Sequence, residues 1–490
     1  MALLLSCPRR HPSIHLLILS AYAIFLLLAS LLPILDGLEL GGDGLYREIL
    51  RDETVLRLKE LGKISDGEGY LERTFLSPAS IRASAVIISW MKDAGLTTWV
   101  DQMGNIHGRF EPTNSTKDAL LIGSHMDTVI DAGMYDGALG IICAISALKV
   151  LKVTGRLQRL TKPVEVIAFS DEEGVRFQTT FLGSAAVAVQ DVLKLNSLEG
   201  TANALGEVRY SPESVGSYVE VHMEQGPVLE ALRYPLGVVK GIAGQTRLKV
   251  IINGSQGHAG TVPMKLRRDP MVAAAELVLT LETLCKEPNK FLTYDEECGC
   301  FTEESLAGLV CTVGELLTWP SASNVIPGQV NFTVDIRAMD DKVRETIVTS
   351  FSRLVLQRCD DRLVDCAVEQ KHAAAATPCD AQLTLQLERA TRSTMSSMTA
   401  AAAAAALPGV RGAGGETPVL MSGAGHDAMA MARLTKVGML FVRCRGGVSH
   451  SPEESVLDDD VWAAGLALVN FIDQNAVDAA ASATATTAES

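Results

Sequence analysis

The apolar run Val164-Glu165-Val166-Ile167-Ala168-Phe169 stops on Ser170-Asp171-Glu172-Glu173-Gly174. A short run rich in Val, Ile and Phe, bounded by turn-forming residues, predicts a buried strand. Adjacent carboxylates at the end of such a strand must bind a cation or handle protons, because burying uncompensated charge is costly. An isolated Glu-Glu pair would be read as an acidic turn. Here the pattern recurs: Ala119–Gly123 runs into Ser124-His125-Met126-Asp127, and Ser217–Val221 runs into His222. Between these runs lie helical patterns. One covers Leu45 to about Leu61, one is capped by Ser77 with Pro78 at its first position and Gly95 as its stop, and one spans Ala138–Val153. Near-continuous apolar strands alternating with helices predict an α/β fold, a mixed and largely parallel sheet flanked by helices. Functional residues are then expected at the carboxyl ends of its strands.

The pattern changes between residues 242 and 372. A strand (Arg247–Ile252), a helix (Pro270–Cys285), two strands (Gly308–Leu317 and Gln329–Arg337), a helix (Lys342–Arg358) and a strand (Leu363–Glu369) give the order βαββαβ. This order predicts a small α+β domain with helices on one face of a four-stranded antiparallel sheet. It would be inserted between two parts of the first domain, 45–241 and 373–473. Ala400–Ala406 with Gly412–Gly415 reads as a loop, and the Ala/Thr/Ser-rich stretch 474–490 reads as a disordered tail.

The first 37 residues differ from the rest. Arg9, Arg10 and His11 precede a nearly unbroken apolar stretch from Ile14 to Leu35, which predicts a signal peptide or an uncleaved signal anchor. The expected location is the endoplasmic reticulum or secretory pathway, with membrane contact only through a retained anchor. A net charge of −15 gives no electrostatic footprint for nucleic acid. The 10 cysteines lack paired metal-ligand spacing, although an oxidising lumen would allow pairing among Cys285, Cys298, Cys300 and Cys311. Of the sequons at Asn114, Asn253 and Asn331, the latter two fall in strand-like runs, which leaves Asn114 as the glycosylation candidate.

The candidate chemistry lies at the strand ends. His125 and Asp127 form His-x-Asp, a spacing in which a carboxylate can orient a ligating imidazole. Asp136 occupies an Asp-Gly turn opening a helix. Glu172 and Glu173 offer a base and a ligand, His222 ends a strand, and His450 follows the strand Gly438–Arg443. Three histidines with two or three carboxylates suit two divalent ions with mixed nitrogen and oxygen donors. His107, in Gly104-Asn105-Ile106-His107-Gly108, reads as an ordinary hydrogen-bonded histidine.

These segments, His125-Met-Asp127, Tyr135-Asp136-Gly137, Asp171-Glu172-Glu173-Gly-Val-Arg-Phe177, His222-Met-Glu-Gln-Gly226 and Ser449-His450-Ser-Pro452, resemble the dinuclear amidohydrolases of the M20 metallopeptidase superfamily. The closest likeness is to its branch acting on N-carbamoyl and ureido compounds. Gly241-Ile-Ala-Gly-Gln245, Gly257-His-Ala-Gly-Thr-Val-Pro263, Pro320-Ser-Ala-Ser-Asn-Val-Ile-Pro327 and Met421-Ser-Gly-Ala-Gly-His-Asp427 extend the likeness from about Leu45 to Asp473.

The resemblance implies an aminopeptidase-like catalytic domain with a lid or dimerisation insert, and a homodimer. It implies two divalent ions per subunit, manganese before zinc. His125, Asp136 and His222 would hold one ion; Asp136 as bridge, Glu173 and His450 would hold the other. Glu172 would be the general base, with Asp127 orienting His125. The substrate would be a small ureido-carboxylate gripped by Arg337, with Gln225, Arg247, His258, Asn324 and Gly425 as further contacts. His258 and His426 would donate to the developing oxyanion, His258 arriving from the partner subunit. Rival substrates are ureidoglycolate and N-carbamoyl-L-amino acids. One departure stands out: family members carry an additional segment after the Gly183-Ser184 turn, which is short here. That departure keeps open a folded but inactive binding or regulatory dimer partner.

Overall fold

The computed structural model describes residues 46–113, 118–176, 180–188, 208–290, 301–306, 308–404 and 416–486. The expected signal, the Asn114 sequon, Cys298 and Cys300 lie outside the described residues.

The first helical pattern is realised from Tyr46, with a wider π-type turn over Glu48–Glu53 leading into helix α1 (Thr54–Leu61). Helix α2 (Pro78–Asp93) starts as its sequence predicts: the Ser77 side chain accepts from the Ser80 amide, satisfying one of the free N–H groups of the first turn. The central sheet joins β1 (Thr97–Val100), β2 (Ile106–Phe110), β3 (Ala119–His125), β4 (Val164–Phe169), β5 (Val215–Met223), β6 (Leu236–Ile242), β14 (Thr377–Pro378), β15 (Val419–Ser422) and β16 (Lys436–Val442). Its spatial order is β1-β2-β4-β3-β5-β16-β6-β14, with β15 also on β6. The four middle strands β4, β3, β5 and β16 are mutually parallel; β2 and β6 flank them antiparallel, β1 and β14 pair antiparallel at the two edges, and β15 pairs in parallel with β6. β3 and β4 are buried at every position, which explains their largely apolar sequences; Glu165 of β4 is buried as well and is held by His107, Arg109 and Tyr210.

Two apolar layers cover this sheet. One is built on α1, α2, α3 (Ala138–Val153) and the long carboxyl-terminal helices; the other on α4 (Leu182–Ala188) and the short helix Asp427–Met431.

The inserted unit has its own sheet, β10-β12-β7-β13 with β9 on β12. Its strands are β7 (Gly244–Asn253), β9 (Val310–Thr312), β10 (Leu316–Trp319), β12 (Gln329–Ala338) and β13 (Asp365–Ala374), all antiparallel. The helices Pro270–Lys286 and Asp341–Arg362 pack on one face around Leu277, Phe332, Phe351 and Val355. The strand expected over Gly308–Leu317 is two pieces. Both pair with β12, and the break between them is held by exchange between Glu315 and the backbone and hydroxyl of Thr333. Ala243 alone separates β6 of the main sheet from β7 of the insert. The insert carries the disulfides Cys285–Cys311 and Cys359–Cys366; the second pair was not anticipated.

Two compositional expectations fail for the same reason. A helix spans Ala381–Ala404, through most of the alanine run read as a loop, and the last helix runs Asp458–Thr486, through the stretch read as disordered. Alanine has the highest intrinsic helix propensity, so simple composition rich in it favours helix once an end is anchored. Among the described residues no helix is long and apolar enough to cross a membrane.

Candidate metal centre

Parallel pairing brings the predicted strand ends to one edge. His125, the last residue of β3, is in register with Phe169, after which β4 turns into Glu172 and Glu173; His222 of β5 is in register with Phe441 of β16, whose continuation reaches His450. Asp136 arrives from the turn before α3. That turn requires glycine: Gly137 has φ 63°, and a Cβ there would lie 2.4 Å from the His125 carbonyl oxygen.

The side chains converge on Asp136. Its Oδ1 lies 3.1 Å from His222 Nε2 and 3.6 Å from His125 Nε2, and its Oδ2 lies 3.2 Å from His450 Nε2. Glu173 Oε1 is 3.4 Å from His450 Nε2. Donor atoms of His125, Asp136 and His222, and of Asp136, Glu173 and His450, each fall within 4.8 Å of one another. A third triad, His125, Glu172 and Glu173, meets the same limit, so distance alone does not separate base from ligand.

These residues fit a pair of cations. Asp136 Oδ1 and Glu173 Oε1 are buried without a hydrogen-bond partner, an arrangement that a cation would satisfy. The histidine tautomers agree. His125 Nδ1 is 3.0 Å from the Asp127 carbonyl and His222 Nδ1 is 2.9 Å from the Met223 carbonyl, so each Nδ1–H donates to backbone and each Nε2 lone pair faces the centre.

Electrostatics divide the acids. Burial alone would raise Asp136, but the imidazoles of His125, His222 and His450 that face it hold it well below the usual carboxylate range. Burial drives Glu172 well above that range against the pull of His125, and pushes Glu173 up to about 7. Burial, reinforced by His222, holds His426 well below the ordinary imidazole value. Backbone strain gathers here as well: Asp171, Gln225 and His450 have φ of 56°, 56° and 54°. Each such conformation costs about 1–3 kcal/mol, and such strain clusters at functional sites.

Asp127 is placed differently from expectation. Its carboxylate accepts from the Glu172 and Glu173 amides at 3.0 and 3.1 Å, whereas its nearer oxygen is 3.8 Å from His125 Nδ1. The side chain fastens the acidic turn; the Asp127 carbonyl is what orients His125. Gln225 Nε2 reaches Asp136 Oδ2 at 3.1 Å and Ser449 Oγ at 2.9 Å. His426 is buried, with its ring 4.5 Å from that of His222 and Nε2 2.7 Å from Ser422 Oγ.

The remaining expected contacts lie apart from the cluster. Arg337 and Arg247 line a cavity of about 610 Å³ with Lys371, Asp335 and Gly423. Asp335 takes Arg337 Nε and Nη2 at 3.0 Å each, and Arg337 Nη1 donates to the Gly423 carbonyl at 2.7 Å, linking insert to main domain. Gly425 packs on Phe181. His258 and Asn324 stand exposed at the small ribbon of β8 (Gly257–His258) and β11 (Val325–Ile326), where the Asn324 carbonyl accepts from the Ala259 amide.

Sequence reasoning overlooked two residues. Glu454 Oε1 accepts from the Tyr135 and Asp136 amides at 2.9 Å each, and burial beside Asp136 pushes it up to about 7. Its place four residues after His450 was the available signal. Arg73, fully buried, donates to the carbonyls of Met126, Leu61 and Ile64, and burial lowers it to about 10 against the pull of Asp127. Nothing in its local sequence marks it.

Comparison with known proteins agrees with this geometry. The chain is 90% identical to a probable allantoate deiminase of Oryza sativa subsp. japonica over 507 aligned positions, covering 100% of both. That alignment exceeds the 490 residues of this chain, so the relative has stretches without a counterpart here. An allantoate deiminase of Arabidopsis thaliana is 62% identical, over 88% of this chain and 83% of that protein. Among solved structures, a hydantoinase/carbamoylase-family amidase from Burkholderia multivorans matches with TM-score 0.70 and 26% identity, covering 87% of this chain and 97% of that one. The model of peptidase family M20/M25/M40 matches residues 121–474, and the chain belongs to that family.

Proposed function

We propose that this chain is a metal-dependent amidohydrolase that converts allantoate and water to ureidoglycine, ammonia and carbon dioxide. The observation that carries the reading is Asp136 shared between two donor sets, with buried Glu172 beside them. The identity to plant allantoate deiminases supports the choice of substrate. His125, Asp136 and His222 would hold one divalent ion, and Asp136, Glu173 and His450 a second. Such a pair supplies positive charge that acidifies water and polarises a carbonyl; manganese suits the oxygen-rich set better than zinc.

The chain's own groups do the rest. Glu172, raised by burial, takes a proton from the attacking water and delivers it to the leaving nitrogen, work that suits a carboxyl group with elevated affinity for protons. His426 is neutral, its ring beside His222, and acts as a donor near the attacked carbonyl. Arg337 commits three of its five N–H donors to Asp335 and Gly423, which leaves a pre-oriented edge for the substrate carboxylate. His258 is exposed on the insert ribbon and would complete the site of a partner in a homodimer. Two disulfides in the insert suit an oxidising compartment, in keeping with the secretory-type amino terminus.

Purified protein stripped of metal and reloaded with manganese should release ammonia from allantoate. Turnover on ureidoglycolate and N-carbamoyl-L-amino acids should be weaker. Absence of ammonia release with both sites filled would overturn the reading in favour of an inactive dimer partner.

A further inference from the structure

The turn that carries Glu172 and Glu173 is fastened at both ends by one side chain outside the metal centre. Asn105 is wholly buried between β1 and β2. Its Oδ1 accepts from the Ser170 amide at 3.0 Å, immediately before the turn, and its Nδ2 donates to the Gly183 carbonyl at 3.1 Å, in the first turn of α4. The Gly183 amide closes the neck by donating to the Ser170 carbonyl at 3.0 Å. The fit leaves no space: a Cβ on Gly183 would lie 2.3 Å from Asn105 Oδ1 and 2.4 Å from the Ser170 carbonyl oxygen.

Asn105 is itself held from behind. Asp101 accepts from its amide at 2.9 Å and from its Nδ2 at 2.8 Å. His107 faces Asp101 at 3.2 Å and Glu165 of β4 at 2.8 Å. Both amide hydrogens of the side chain and its carbonyl oxygen are therefore committed, so the group has one orientation. Glu165 also accepts from the Tyr210 hydroxyl at 2.6 Å, and the Tyr210 amide donates to the Val187 carbonyl at 3.2 Å. Val187 and Tyr210 are thus two anchored points, and the acidic turn is fastened upstream of both.

We infer that Asn105 is the positioning residue for the Glu172–Glu173 turn, acting through Ser170 and Gly183. His125 and His222 ride on β3 and β5, whereas Glu173 depends on this neck together with the Asp127 carboxylate that holds its amide. Loosening the neck should therefore weaken one metal position and spare the other. This rests on the reading of Glu173 as a ligand, and the test separates the two.

The experiment is equilibrium dialysis of Mn²⁺ into metal-free protein, for the unaltered chain, Asn105→Ala, Asn105→Ser, Gly183→Ala and Glu173→Gln. Glu173→Gln identifies the affinity that belongs to the Glu173 position. Asn105→Ala should weaken that same affinity by roughly 10–100-fold, the effect usual for groups that orient ligands, and leave the other unchanged. Asn105→Ala combined with Glu173→Gln should add little to Glu173→Gln alone. Turnover should fall with KM unchanged. Gly183→Ala repeats the test by forcing the neck open, and Asn105→Ser covers a failure of the alanine variant to fold. If folded variants keep both affinities, or lose both in parallel, the inference is overturned. If Glu173→Gln leaves both affinities intact, the ligand assignment has failed instead. Because the dialysis uses no substrate, the outcome is independent of whether allantoate is turned over.

Discussion

Replacing Glu454 by glutamine should have opposite effects on the metal-free and metal-loaded protein. Glu454 is buried, its Oε1 holding the Tyr135 and Asp136 amides, and a Cβ at Gly133 would lie only 2.4 Å from its own Cβ, so the pocket is closed around it. A glutamine oxygen can accept the same two amides. What changes is the charge beside Asp136. With an affinity for protons raised from 4.5 to about 7, the folded metal-free chain holds this proton more tightly than the unfolded chain does. A raised carboxyl value means the folded state binds more protons, so its stability contribution is present at low pH and lost as pH rises from about 4.5 to about 7. Between about pH 5 and about pH 8 the loss comes to roughly 2.5 kcal/mol. Glutamine has no proton to lose, so Glu454→Gln should escape that part of the decline. In the metal-loaded protein the negative charge favours the cations, and the variant should bind Mn²⁺ roughly 10–100-fold more weakly. Urea denaturation of chelator-treated protein across this pH range, paired with metal titration, measures both. A stability difference between the two proteins that stays constant with pH would refute the electrostatic argument. Tighter metal binding by the variant would refute the structural one.

Glu172→Gln should abolish ammonia release while two metals stay bound, as metal analysis of the dialysed protein would show; a loss of metal instead would make Glu172 the ligand. Arg337→Ala removes a charge-assisted contact worth about 1.5–3 kcal/mol and should raise KM for allantoate by roughly tenfold or more with kcat little changed; unchanged steady-state kinetics would place the carboxylate grip elsewhere. His107 is raised above its ordinary value: burial opposes, but Asp101 and Glu165 outweigh it, so its contribution to stability is full below about pH 6.5 and lost as pH climbs through the folded value. The stability gap between the unaltered protein and His107→Gln should accordingly narrow from mildly acidic to alkaline pH in denaturation curves.

Much of the architecture was legible because parallel strands buried on both faces leave a distinctive text: short apolar runs broken at the carboxyl end. That rule drew attention to His125, His222 and the Glu172–Glu173 turn, and the Asp-Gly turn drew attention to Asp136, before any geometry was known. Groups that act on backbone were silent. Glu454 and Asn105 hold amides and carbonyls, which every residue carries, so no partner residue type advertises the contact. Asp127 was read only as the partner of His125 for the same reason: its carboxylate also binds two amides, and its carbonyl accepts from His125 Nδ1. The alanine-rich segments were read as a loop and a disordered tail because low complexity was taken to exclude regular structure, although alanine is the strongest helix former.

The two donor sets differ sharply in access. His125 and His222 have side chains only 2% exposed, whereas His450 is 51% exposed. Exchange with solvent therefore runs through the His450 side. The outer ion should be the last to load and the first to be stripped by a chelator, and the inner ion should leave only after it. If two ions bind as proposed, a preparation holding half its metal would be enriched in molecules with the inner position filled, and its activity would report on what one ion alone supports.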